Sequence, residues 1–390
     1  MSDTLPSTTS RPRVLVVPEF DRFGGTWTVF RNTLRMLARD NFQIAVLIER
    51  RQGFREAMEE IERAGAKVFW MPERDKRWMK SWVATLYEFV AALPAFLVFR
   101  PDLIHVSCGG PGNMLGLCLY PRPLLFFLHT EPFAPLALGR NLLWRRFRRH
   151  GAIFAAVSQH MANLVVERFR IPRSNIRIVY NGCRIPETTA RPDSGLIVTL
   201  GHFQEYKNPA VWLRTARIVL QRNPSAEFLW LGDGPLIETY REEIRRAGLS
   251  EKIHLPGHHP DVTKALSRAR VYFHPSRMES HGIAVIEAMA HGVPCVASRV
   301  GGLKESVVED QTGFLLDPDD VDGFADGILR LLNEPGLADR LGGEGRKRAI
   351  ALFSTESWEG HIADLYRFLL NHRCGGDKSE GQPYPSRDQA

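Results

Sequence analysis

The chain has 390 residues, 44% hydrophobic and 24% charged, with a formal net charge of +7. That is long for one domain, and the composition is that of a globular protein rather than a disordered or fibrous one. Five scattered cysteines (108, 118, 183, 295 and 374) lack CxxC spacing, which excludes a disulfide framework or zinc site and points to a reducing cytoplasm. The positive charge asks for an anionic partner, a nucleotide, a phosphorylated acceptor or a phospholipid surface, and no zinc-finger or RNP-like motif directs it to nucleic acid.

The opening MSDTLPSTTSRP (1–12) has no apolar core. It reads as a disordered start rather than a signal peptide. Arg13–Pro18 is an apolar run of strand length. The loop after it reaches Gly24 and Gly25, then a helix with Val29, Phe30, Leu34 and Leu37 on one stripe. Strand, Gly-Gly, helix is a geometry for approaching phosphate, and equally a plain tight turn. The dinucleotide pattern G-x-G-x-x-G is missing. Strands follow at Gln43–Glu49 and Lys67–Met71, then a helix over Ser81–Phe99. Glu88 and Pro94 interrupt that helix and it is short for a membrane span, so it is expected to pack on the sheet. Strands at Asp102–Ser107 and Leu124–Thr130 come next, and His129 ends the second. The carboxyl end of a parallel strand is where open sheets bind ligands. In Arg140–Gly151 a helical wheel sets Leu143, Trp144 and Phe147 opposite Arg145, Arg146, Arg148 and Arg149. A solvated surface helix and a contact with an anionic membrane both fit that pattern. A strand at Ile153–Ser158, a helix capped by Ser158 and a strand and turn at Asn175–Cys183 complete a first unit.

RIPETTARPDS (184–194) has two prolines and no periodicity, and reads as a linker. A second strand–helix alternation then begins. Helices are expected at Asn208–Arg222, Leu236–Gly248 and Pro260–Arg270, with strands GLIVTLG, AEFLWLG and KIHLPG between them. Lys207 stands just before a helix, where it can reach a phosphate as a point charge. Gly232, Asp233 and Gly234 follow a strand as a tight loop.

The richest stretch is His274–Ser298: strand, loop with Glu279, Gly282, helix IAVIEAMA, strand. The first N–H groups of a helix lack partners inside it and carry the positive end of its dipole. Gly282 and Ile283 can therefore receive an anion such as a diphosphate. Glu287 lies about a turn into the helix and leans back toward the same place, and Glu279 approaches from the loop. Amides for phosphate and carboxylates for hydroxyls suit a polyhydroxylated phosphate ester. GGLKESV (301–307) and TGFLL (312–316) are expected to close the sheet. Helices follow from Asp319, Gly336 and Glu356, and then a polar tail.

Glu279 to Glu287 is a Glu-x7-Glu pattern, followed by A-M-A-x-G-x-P and set within PSxxE and GxPxVAS. With these flanks it resembles the nucleotide-sugar site of retaining glycosyltransferases, specifically glycosyltransferase family 4 (glycosyl transferases group 1). The resemblance implies an α/β fold of two facing Rossmann-like domains with a cleft between them, the GT-B architecture. It places an acceptor domain at 13–183, a linker at 184–194, a nucleotide-sugar domain at 195–354, a helix at 355–373 crossing back to the first domain, and a disordered tail at 374–390. It implies transfer of a hexose-type sugar from a nucleotide diphosphate sugar to an acceptor hydroxyl with retained configuration, in surface polysaccharide or glycolipid synthesis. No cofactor and no metal is expected. Glu279 and His129 would contact the sugar, Glu287 the ribose, and Lys207, the Gly282–Ile283 amides and the Gly24–Gly25 loop the diphosphate. The 232–234 loop would lie near the base. In the family pattern Gly-Arg-x4-Lys this chain has His202 in place of the Arg. The expected location is the cytoplasm, or its membrane face with a lipid-linked acceptor. A nucleotide-sugar 2-epimerase of the same fold and an inactive sugar-nucleotide-binding module remain as other readings, and a glycosidase fits poorly because it has no use for the anion hole.

Overall fold

A computed structural model describes residues 11–19, 24–71, 82–108, 115–131, 152–189, 192, 195–259 and 262–371. The first unit holds β1 (Arg13–Pro18), β2 (Gln43–Glu49), β3 (Lys67–Met71), β4 (Leu103–Cys108), β5 (Leu124–Leu128), β6 (Ile153–Ala156) and β7 (Ile176–Ile178). They form one parallel sheet in the order β3-β2-β1-β4-β5-β6-β7. The second holds β8 (Leu196–Leu200), β9 (Glu227–Leu231), β10 (Ile253–Gly257), β11 (Val271–His274), β12 (Cys295–Ser298) and β13 (Gly313–Leu316), parallel in the order β10-β9-β8-β11-β12-β13. Continuous apolar runs such as VLVV, LLFFL and LIVTL are what parallel strands need, because helices cover both faces and every residue is buried.

The strand order reverses once in each parallel sheet, between β1 and β4 and between β8 and β11. A crevice opens beyond the carboxyl ends of the strands at such a point. The loop after β1 leads to Gly24, the loop after β8 to Lys207 and the loop after β11 to Glu279. The chain passes between the units twice, side by side: Cys183 N–H donates to Phe353 O (2.8 Å) and Thr355 N–H to Cys183 O (3.0 Å). The last helix, Thr355–Asn371, then packs on the first unit. Trp358, Ile362, Leu365, Tyr366 and Leu369 join that core, and the Tyr366 hydroxyl meets His105 Nδ1 at 2.6 Å.

Three expectations about elements change. Gly301–Val307 does not add a strand: it is a turn and a short helix, Leu303–Ser306, and Gly313–Leu316 alone forms the edge. Gly301 has φ +47°, a left-handed conformation that breaks an extended run, and the residues after it carry no alternation. The helix expected over 260–270 is only Val262–Leu266. The helix before β4 is α-helical over Trp82–Pro94 and widens to a π turn over Ala95–Phe99, as befits a proline with no N–H to give. The arginine-rich segment 140–151, with Arg145, Arg146, Arg148 and Arg149, lies outside the described residues, as do 1–10 and 372–390. Among the described residues no helix is long and apolar enough to cross a membrane.

Candidate functional site

The site grows from the end of β11. Tyr272 and His274 alternate along the strand, and the Tyr272 hydroxyl meets His274 Nδ1 at 3.2 Å. His274 Nε2 lies 3.1 Å from Glu279 Oε2 and 3.0 Å from Ser276 Oγ. A carboxylate can only accept, so Nε2 carries the proton and Nδ1 accepts from the tyrosine. Lys207 Nζ comes from the loop after β8 and donates to the same Glu279 oxygen at 2.6 Å. Burial works against ionising Glu279, but Lys207 and His274 outweigh it and hold the carboxyl down at about 2. Burial likewise works against charging Lys207, and Glu279 outweighs it, so the ammonium is held above its ordinary value. His274 is lowered by burial and by Lys207, which keeps it neutral. The result is a carboxylate–ammonium pair charged at physiological pH.

The loops around the pair approach through their glycines. The Lys207 stem crosses Gly201, where a Cβ would stand 3.5 Å from Cε. A Cβ on Gly232 would sit 1.8 Å from Gly201 O, so the 232–234 loop lies directly on the loop that carries His202 and Lys207. Asp233 Oδ1 accepts from Gly234 N–H at 2.8 Å, and Phe203 N–H donates to Asp233 O at 2.9 Å. His202 is half-buried beside them.

Gly282 caps the helix Ile283–Ala290 with φ +89°, and a Cβ there would meet Leu303 Cδ2 at 2.6 Å. Glycine takes this left-handed conformation without strain, and any Cβ would also have to push Leu303 aside. A Cβ on Gly25 would stand 2.9 Å from Ile283 Cδ1, so the first turn of the helix Gly25–Arg39 abuts the start of the helix Ile283–Ala290 across the crevice. The first turns of two helices from different units thus lie against each other, and a helix N-terminus carries unpaired amides and the positive end of its dipole. Glu287 is half-buried on the second helix. Burial pushes its carboxyl up to about 7, and Arg31 on the first helix opposes that rise.

His129 follows β5, its N–H on Cys108 O at 3.0 Å and its Nε2 2.7 Å from Ser107 Oγ. Burial lowers it to about 3, so the ring is neutral. Among the described residues its Nδ1 has no hydrogen-bond partner, although Asn181 is close enough to raise the ring slightly against the burial. No hydrogen bond joins His129 to the Lys207–Glu279 pair.

The structure therefore joins Lys207 to Glu279 directly, sets Gly25 on Ile283, and leaves His129 on the opposite wall. Sequence reasoning missed His274, Ser276 and Arg31. The first two had a readable signal: a His closing a strand, two residues before a Ser, at a carboxyl end. Arg31 had none, since its meaning depends on a helix of the other unit.

Two Rossmann-like units with facing switch points, glycine-lined loops and converging helix N-termini define the GT-B architecture. A profile for "Glycosyltransferase Family 4" matches residues 23–185, and one for "Glycosyl transferases group 1" matches residues 184–348. The chain is 31% identical over 310 residues to a D-inositol 3-phosphate glycosyltransferase of Corynebacterium efficiens, 70% of this chain and 73% of that one. It is 26% identical over 237 residues to an N-acetyl-α-D-glucosaminyl L-malate synthase of Bacillus anthracis, 57% of this chain but only 61% of that enzyme's length. Among solved structures, a glycosyltransferase from Rickettsia africae superposes with a TM-score of 0.78 at 16% identity, over 93% of this chain and 99% of that one. Anabaena HepE, in complex with UDP and glucose, gives 0.75 at 17%, over 92% and 100%. The chain belongs to the family 4-like, group 1 glycosyltransferases, and it is a glycosyltransferase of the GT-B fold.

Proposed function

We propose that the protein moves a hexose-type sugar from a nucleotide diphosphate sugar to an acceptor hydroxyl, with retention of anomeric configuration and without a metal ion. The observation that carries this is the Lys207–Glu279 pair, 2.6 Å apart, beside the Gly282–Ile283 helix start and facing Gly24–Gly25. In glycosyl transfer the bond from the anomeric carbon to the diphosphate breaks and one to the acceptor oxygen forms. Negative charge grows on the diphosphate, and preorganised donors placed there lower the barrier most. Lys207 and the helix amides supply such donors. Glu279, kept ionised, accepts from sugar hydroxyls, and Glu287 accepts from the ribose. Neutral His129 would contact the sugar from the other wall. Retention requires the acceptor to arrive on the face the diphosphate leaves, so the departing oxygen is the nearest base for the acceptor proton. His202 and the 232–234 loop line the nucleotide side. That HepE was solved with UDP and glucose supports a donor of this kind.

The test is incubation with UDP-, GDP- and ADP-sugars, with and without acceptor, in EDTA and in Mg²⁺. Free nucleotide together with a product of retained configuration, at equal rates in both buffers, is expected. A sugar inverted at C2 with no acceptor consumed would replace this reading by epimerisation, and binding without turnover by an inactive module. A rate abolished by EDTA and restored by Mg²⁺ would end the metal-free part.

One observation favours a lipid-linked acceptor. Among the described residues seven large hydrophobics are exposed, and six of them (Trp70, Leu86, Val90, Leu97, Val98 and Leu119) lie on the first unit. Leu97 and Val98 are 69% and 61% exposed at the end of a helix whose outward face carries no charge, and exposed Arg100 follows them. An apolar stripe edged by arginine suits an anionic bilayer surface. We read this as a membrane-facing acceptor side, in keeping with glycolipid or surface-polysaccharide synthesis at the cytoplasmic membrane.

A further inference from the structure

Three consecutive carbonyls of the loop that carries Glu279 are each held by a different donor. Glu279 O accepts from Gly302 N–H at 2.9 Å, Ser280 O from Ser158 Oγ at 2.6 Å, and His281 O from Ser306 Oγ at 2.9 Å. Two of these donors belong to the second unit, as the loop does. Ser158 belongs to the first, where it is the N-cap of the helix Gln159–Phe169.

That helix is capped from both units. Ser158 Oγ accepts from Met161 N–H at 3.1 Å. The preceding amides, Gln159 N–H and His160 N–H, donate to the two oxygens of Glu305 at 2.7 and 2.8 Å. Glu305 Oε2 also takes the Tyr180 hydroxyl at 3.2 Å, and the Glu305 backbone carbonyl is anchored by Arg348 at 2.7 Å. A carboxylate spanning two adjacent helix amides is a strong, directional contact, since the orphan donors and the dipole both favour an anion there. Here the anion comes from the other unit, and only two residues separate it from the Gly301–Gly302 turn that packs on the Glu279 and Ser280 carbonyls.

We propose that Glu305 is an interdomain positioning residue. Its carboxylate docks the first unit's helix, the docked helix brings Ser158 onto Ser280 O, and this completes the clamp that fixes Glu279 toward Lys207. Only when the two units are together does the loop have all three carbonyls held. Donor chemistry is thereby tied to closure around the donor. The proposal rests on the role given above to Glu279.

The test compares Glu305→Gln, Glu305→Asp, Glu305→Ala and Ser158→Ala with wild type, and includes Glu279→Gln as a reference. Glu305→Gln keeps the shape but turns an NH₂ toward one of the two amides. We expect its transfer kcat to fall about tenfold, with donor KM changed less than about threefold and a larger share of donor lost to water. Glu305→Asp, still anionic, should recover part of kcat where Glu305→Ala does not. Ser158→Ala should show the same signature and be non-additive with Glu305→Gln. A thermal midpoint that falls while kcat holds, or Asp no better than Ala, would make Glu305 merely a structural cap and overturn the proposal. If Glu279→Gln itself leaves kcat unchanged, the fault lies in the reading of the donor loop instead.

Discussion

Lys207 Nζ and Glu279 Oε2 stand 2.6 Å apart on side chains only 11% and 16% exposed, and each makes the other's charge tolerable there. Removing one partner of such a pair strands the other in a site that hydrates it poorly. Lys207→Met should therefore cost roughly 3–5 kcal/mol of stability, as buried pairs do when broken. Lys207→Met combined with Glu279→Gln should regain most of that loss while activity stays absent in all the variants. Thermal unfolding run beside the transfer assay checks both halves. An active double variant would remove the pair from catalysis. Because Glu279 is depressed to about 2, the stability it contributes is present above the ordinary carboxyl range and is lost as pH falls toward that value.

Glu287 behaves oppositely. Its carboxyl is raised to about 7 by burial, so in the donor-free protein it favours folding at low pH and that contribution is lost as pH rises through neutrality. Ribose hydroxyls donating to the carboxylate would lower its pKa again. Donor binding near pH 7 should then release a proton, and affinity should rise with pH before levelling off. Calorimetry in buffers of different ionisation enthalpy measures this directly. Glu287→Gln should abolish the proton release, and an unchanged release would assign it to another group.

His202 occupies the place where the family pattern has arginine. A guanidinium is permanently charged and can bind phosphate through two N–H groups. His202→Arg should tighten donor binding, read as a lower Kd for the cognate sugar nucleotide or its nucleoside diphosphate. Equal or weaker binding would show that His202 faces away from the diphosphate.

The membrane reading is testable by co-sedimentation. Wild type should pellet with anionic vesicles at low salt. Leu97→Asp with Val98→Asp should release it at any salt, because the apolar stripe is lost. Replacing Arg145, Arg146, Arg148 and Arg149 by Gln should remove the salt-sensitive part, each charge being worth on the order of 1 kcal/mol at an anionic surface. Equal pelleting of all three proteins, or none for wild type, leaves a water-soluble acceptor.

Much of this arrangement is legible in the amino-acid sequence itself. Apolar runs of four to six residues separated by helical periodicity announce two parallel sheets, because strands buried on both faces cannot alternate. Glu279, Gly282 and Glu287 are readable because their roles depend on local geometry, a loop and a helix start within nine residues. What escapes such reading is set by distance along the chain. Arg31 lies 256 positions before Glu287, and Ser158 lies 122 before Ser280, so no spacing rule connects them. At Gly301–Val307 the cause is local. One glycine in a left-handed conformation and the packing of that turn on the Glu279 carbonyl rule out an extended strand there.

The return of Thr355–Asn371 to the first unit has a consequence for how the molecule is made. Tyr366 fills the space beside His105 and Trp358 closes over Gly182, so the first unit lacks part of its interior until this later-synthesised helix arrives. The second unit fills its core with residues up to Phe353 and, among the described residues, with none from Thr355–Asn371. During translation the order of maturation is therefore reversed relative to the order of synthesis. The nascent first unit waits, with the wall of β4 uncovered, while the second unit closes behind it.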